Sequence, residues 1–164
     1  MAETFKDGLL IHTAGDLPEI GAQLPAFQVD AADLSPVTNA SVAGSRVILN
    51  IFPSIDTGVC AMSVRKFNEL AAGLPNTKVV CVSKDLPFAL GRFCGAEGIA
   101  NVVTTSAFRS TFGEDFGVTM VDGPLRGLLA RAIVVADETG VVLCHELVAN
   151  IAHEPNYDAA VSVL

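Results

Sequence analysis

Arg46–Phe52 reads RVILNIF, a β-branched apolar run broken only by Asn50 after its leading arginine. Alternating polarity marks a strand with one wet face, whereas continuity marks a strand buried on both. A similar run follows at Lys78–Ser83 (KVVCVS), and further apolar runs occupy Leu128–Ala136 and Val141–Leu147. Between the first two, Met62, Val64, Phe67, Leu70, Ala71 and Leu74 recur at helical spacing, from Gly58 to the stop signals Gly73 and Pro75. Strands buried on both faces and separated by helices need helices on both sides of a sheet. The remaining segments fit that plan. Thr4–Lys6 and Leu9–Thr13 flank Asp7-Gly8, a type I′ hairpin signal, ahead of a short extended piece at Gln23–Asp30 and a loop-to-strand stretch at Ser35–Ala40. Leu86–Glu97 reads as a helix ended by Gly98, Asn101–Thr105 as a strand, and Ser110–Phe116 as a short helical stretch closed by Gly117. Asp137–Gly140 is a hairpin turn, and Tyr157–Leu164 a short closing helix with Ala160, Val161 and Leu164 inward.

The order is hairpin, β-α-β-α-β, β-hairpin and helix. It predicts an α/β chain of thioredoxin-like form: a central mixed β-sheet flanked by helices, with an N-terminal β-hairpin extension. No linker, repeat or low-complexity tract interrupts it, so 1–164 reads as one domain. A hydrophobic fraction of 51% is enough for a full core. The net charge of −8, with its ten basic residues scattered, predicts repulsion from nucleic acid and anionic membranes. No apolar run approaches the roughly 18 residues that span a bilayer. The start, Met1-Ala-Glu-Thr-Phe-Lys6, lacks the basic-then-apolar pattern of an export signal, so a reducing cytoplasm is the expected compartment.

Four cysteines, at 60, 81, 94 and 144, are too few for a disulfide scaffold at this length. No C-x-x-C, G-x-G-x-x-G or G-x-S-x-G is present, and His12, His145 and His153 stand far apart. Neither a metal nor an organic cofactor is therefore expected. The informative segment is Pro53-Ser-Ile-Asp-Thr-Gly-Val-Cys60. It places Cys60 just after a buried strand, in the first turn of the next helix, where free N–H groups and the helix dipole favour an anion. A thiol of ordinary pKa, about 8.5, is only about 3% ionised at pH 7, and about 90% ionisation takes roughly 3.4 kcal/mol. The helix terminus supplies about 0.3–1 kcal/mol, so a nearby cation must supply most of the rest. Arg131 is the expected source, because it interrupts an apolar strand where a guanidinium needs a partner. Arg65 and Arg92 are expected on solvated helix faces. Thr57, three residues before Cys60, is expected either to bring its hydroxyl to the sulfur or to cap the helix. Pro53 is expected to shield the sulfur and fix the loop. Cys81 and Cys144 read as core or sheet positions.

Pro53–Cys60, Ser63-Val-Arg-Lys-Phe-Asn68, Asp85-Leu-Pro-Phe-Ala89, Arg92-Phe-Cys-Gly-Ala-Glu-Gly98, Asp122-Gly-Pro-Leu125 and Leu129-Ala-Arg-Ala132 together resemble the bacterial thiol peroxidase branch of the peroxiredoxins. The resemblance covers essentially the whole chain. It implies a homodimer that reduces hydrogen peroxide and organic hydroperoxides, with thioredoxin as reductant. By motif it makes Cys60 the peroxidatic nucleophile and Cys94 the resolving cysteine. It gives Thr57 and Arg131 the orienting of thiolate and peroxide, and Pro53 the shaping of the pocket. Cys60 and Cys94 are 34 residues apart. A bond between them closes a loop worth about 4 kcal/mol of chain entropy, and forming it from two separate helices requires local rearrangement. Cys144 lies outside the family pattern. The alternative expectation is a redox-sensing thioredoxin-like binding module with little turnover.

Overall fold

Residues 1–164 are all described by the computed structural model. The chain opens on the expected hairpin, β1 (Glu3–Lys6) and β2 (Leu9–His12), which form a separate two-stranded sheet. Its turn has positive φ at both centres, 51° at Asp7 and 82° at Gly8, as a type I′ turn requires. The main sheet is built from β3 (Gln28–Ala31), β4 (Pro36–Thr38), β5 (Arg46–Ile51), β6 (Thr77–Ser83), β7 (Val103–Ser106), β8 (Ala132–Ala136) and β9 (Val142–Leu147). Their spatial order is β4-β3-β7-β6-β5-β8-β9. The pairs β5–β6 and β6–β7 are parallel, and every other pair is antiparallel.

The central strand β5 explains the uninterrupted apolar run. Val47, Leu49 and Ile51 face one cluster, with Phe112 and Phe116 from the segment around α4 (Phe112–Asp115) and Val42 from α1 (Asn39–Val42). Ile48 faces the other, with Val64 and Phe67 of α2 (Gly58–Ala71), Leu90 of α3 (Pro87–Glu97) and Ala160 of α5 (Tyr157–Ser162). Both faces of the sheet are thus covered, and the thioredoxin-like mixed sheet with an added hairpin is the fold observed. Gly117 shows why a glycine closes the stretch after α4. Its φ is +70°, and an added Cβ would stand 2.3 Å from the Asp16 carbonyl oxygen.

Three expected boundaries move. The Gln23–Asp30 piece becomes a strand only from Gln28, which runs on to Ala31, and Gln23 makes an isolated bridge to Val141. The strand expected at Asn101–Thr105 runs Val103–Ser106, because the Asn101 amide donates instead to Asn68 Oδ1 at 2.8 Å. The Leu128–Ala136 run is split. Met120 N donates to Leu128 O at 2.9 Å and Ala130 N to Val118 O at 2.8 Å, so β8 begins only at Ala132. Arg131 sits at the point where the chain exchanges one pairing partner for another.

Candidate active site

The end of β5 and the start of α2 hold the 53–57 loop, and Asp85 holds the loop in place. Its carboxylate accepts from Ser54 Oγ, from the Ile55 amide and from Ser83 Oγ, each at 2.7 Å. Three donors on one carboxylate fix where α2 begins, and so where Cys60 lies. Replacing Asp85 with alanine strands the buried Ile55 amide. The expected loss is about 2–3 kcal/mol, read as a lowered urea midpoint at unchanged slope.

Cys60 is the third residue of α2 and its sulfur is fully buried in the apolar cluster of that face. A guanidinium nevertheless reaches it: Arg131 Nη2 donates to Cys60 Sγ at 3.2 Å. Arg131 is itself only 2% exposed. Its Nε donates to the Ile151 carbonyl at 2.9 Å, while Nη1 is buried and makes no hydrogen bond. The expected pairing of Arg131 with Cys60 is therefore present, and one guanidinium arm remains free beside it. The free N–H groups of the first helical turn lie on the same sulfur-bearing turn.

A cavity of about 200 Å³ adjoins this pair, lined by Pro53, Thr57, Gly58, Val59, Leu125, Arg131, Ile151, Ala152 and Lys6. Cys60 does not line it, so Arg131 is the group shared by cavity and sulfur. Pro53 is buried in the cavity wall. Thr57 departs from both of its expected roles. It stands at the N-cap position but makes no side-chain cap bond, and its hydroxyl donates to the Ser54 carbonyl at 3.0 Å rather than to the sulfur. It is exposed and lines the cavity.

No disulfide joins Cys94 to Cys60. Cys94 lies near the end of α3, half-buried, with its sulfur hydrogen-bonded to Thr104 Oγ1 at 3.2 Å, and all four cysteines are free thiols. Thr104 is the β7 register partner of Cys81, which brings Cys94 over that buried strand position. Burial pushes the Cys81 thiol up to about 12, opposed by the Asn50 amide and aided by Cys94. Cys144 is half-buried under α5, and burial also raises its pKa, with Glu146 adding to the effect. Both therefore occupy the core and sheet positions expected of them. Arg65 and Arg92 are exposed and pair with Glu97 and Asp56.

Sequence reasoning did not single out Asp85 as a loop anchor, the Ile151 carbonyl, or Lys6. Asp85 lies within a segment quoted for the resemblance, but a backbone carbonyl has no sequence signal. Lys6 sits on a hairpin remote in the chain from every motif.

The Redoxin family model matches residues 19–161. The thiol peroxidase of Corynebacterium glutamicum is 56% identical over 164 residues, covering 100% of this chain and 99% of that protein. The thiol peroxidase of Mycobacterium tuberculosis has the same identity, 56%, and the same coverage, 100% and 99%. Among solved structures, a peroxiredoxin-like protein from Aquifex aeolicus superposes with a TM-score of 0.93 at 36% identity, covering 99% of this chain and 95% of that one.

Proposed function

The chain belongs to the Redoxin family and is a peroxidase of the peroxiredoxin type, and from that premise we propose that it reduces hydrogen peroxide and organic hydroperoxides through Cys60 and Cys94, with thioredoxin as its reductant. The observation that carries the reading is the Arg131 guanidinium, 3.2 Å from the sulfur and with a second buried arm unpaired. A thiolate at Cys60 attacks the terminal peroxide oxygen. The S–O bond forms as the O–O bond breaks, the sulfur is oxidised to a sulfenic acid, and the alkoxide or hydroxide leaves and takes up a proton. Charge develops on that leaving oxygen, and Arg131 Nη1 is the free donor able to meet it. Thr57, on the cavity wall, orients the peroxide, and Pro53 keeps water from the sulfur.

Cys94 then condenses with the sulfenic acid, releasing water and leaving a Cys60–Cys94 disulfide. Cys60 is sealed and Cys94 is held on Thr104, so the ends of α2 and α3 must loosen for the two sulfurs to meet. A dithiol such as thioredoxin returns two electrons and restores both thiols. All of 1–164 acts as a single thioredoxin-fold peroxiredoxin domain, in a cytoplasmic homodimer, with no nucleic acid or membrane partner. No helix is long and apolar enough to cross a membrane. The binding-module alternative is set aside, because full-length relatives at 56% identity are thiol peroxidases.

The test is Cys94→Ser. It is expected to consume one equivalent of hydrogen peroxide and then stop, with thioredoxin-linked NADPH oxidation reduced to background. Sustained turnover in that variant would place the resolving sulfur elsewhere.

A further inference from the structure

Lys6 belongs to the cavity although it comes from the hairpin outside the main sheet. Its place there is fixed by its neighbours. Phe5 N donates to the Ala149 carbonyl at 2.8 Å, Ile151 N donates to the Phe5 carbonyl at 3.0 Å, and Thr4 Oγ1 donates to the Val148 carbonyl at 2.8 Å. The same 148–152 segment gives the cavity Ile151 and Ala152 and gives Arg131 its carbonyl acceptor. A second tie runs from β2 to the far wall. His12 N donates to Asp122 Oδ1 at 2.9 Å, and Leu125, three residues beyond, lines the cavity. The hairpin is thus fastened to two segments that, like Lys6, contribute to the cavity lining.

The lining is apolar apart from the Thr57 hydroxyl and two cations, Arg131 and Lys6, and it contains no carboxylate. Arg131 donates to the sulfur and to Ile151 and keeps only Nη1 free, the donor assigned above to the leaving oxygen, so a second anionic group needs a second cation. The Lys6 ammonium pairs only with Asp7, whose side chain is 76% exposed. Such solvent-exposed pairs contribute little and exchange readily for another anion. The chain as a whole carries a net charge of −8, which repels anions at a distance, so a local cation is required for one to dwell in this cavity. Its volume, about 200 Å³, lies below the range of drug-sized pockets and suits a short substrate.

We propose that Lys6 is a specificity residue that reads a negative charge on the substrate, so that the cavity favours short alkyl hydroperoxides ending in a carboxylate over their neutral counterparts. The proposal rests on the peroxidase reading above and adds to it the class of substrate. In the bound state the carboxylate replaces Asp7 on the ammonium, the alkyl stem lies along Leu125 and Ile151, and the hydroperoxide points to Arg131.

The probes are a tertiary alkyl hydroperoxide that ends in a carboxylate, and its methyl ester. The readout is the ratio of their kcat/KM values in the full chain. The unmodified protein is expected to favour the acid. Lys6→Gln should lower that ratio by about three- to fivefold, Lys6→Glu should lower it further, and Lys6→Arg should retain it. Raising the salt concentration should erode the preference in the unmodified protein and leave Lys6→Gln unmoved. An equal ratio in the unmodified protein and Lys6→Gln, with both probes consumed, would overturn the assignment and leave the peroxidase reading standing. Failure of the unmodified protein to consume either probe while it still consumes hydrogen peroxide would overturn the assignment alone, and failure with hydrogen peroxide as well would overturn both.

Discussion

Cys60→Ser is expected to bring peroxide consumption down to the rate of a protein-free control, the largest effect of any single change in this chain. A serine hydroxyl stays protonated near neutral pH and cannot act as the thiolate does. It can still accept a hydrogen bond from Arg131, so the buried hydroxyl keeps a partner, and the change in size is a single atom's. The variant should therefore fold with its urea midpoint little changed, which separates lost chemistry from lost structure. Stopped-flow consumption of hydrogen peroxide measures the first and denaturant unfolding the second. A sulfenic-acid trapping reagent should label the unmodified protein under peroxide and leave the variant unlabelled. Undiminished consumption would show that another sulfur performs the attack.

Arg131→Met should follow it in size. Methionine keeps an apolar stem in a site that is only 2% exposed, but it removes the charge beside the sulfur and both outer donors of the fork. Deleting one donor aimed at developing charge costs about 10²–10³-fold in rate, and a loss of that order in the second-order reaction with hydrogen peroxide is expected. Arg131→Lys should not recover it. A lysine presents one compact ammonium, whereas the guanidinium touches Cys60 through Nη2 and the Ile151 carbonyl through Nε and still has Nη1 free. Retained secondary structure by circular dichroism, together with the lost rate, assigns the effect to chemistry. A fall of less than about tenfold would remove Arg131 from the transition state.

Much of the fold was legible because the chain writes its periodicities plainly. RVILNIF is continuous since both faces of β5 are covered, and Asp7-Gly8 has turn chemistry that suits a two-residue type I′ hairpin. The pairing of Arg131 with Cys60 was legible for a different reason: a guanidinium among apolar residues needs a partner, and an anion-favouring helix start offered one. What misled was local. Leu128–Ala136 looks like one strand, yet its first residues pair with 118–120, a competition between partners that no single-segment pattern expresses. The Thr57 hydroxyl was aimed at the sulfur by spacing alone, and the nearer Ser54 carbonyl captured it. Asp85, Ile151 and Lys6 reach the site through tertiary closure, and their contributions are invisible until the sheet and hairpin are assembled.

The depth of Cys81 has a consequence for fidelity. Cys94 rests over the strand position beside it, so an inward cross-link between these two neighbours would compete with the proposed Cys60–Cys94 bond. Burial pushes the Cys81 thiol up to about 12 and so keeps it protonated near neutral pH. A protonated thiol is a poor nucleophile, so the burial that packs Cys81 into the sheet also disfavours that inward cross-link.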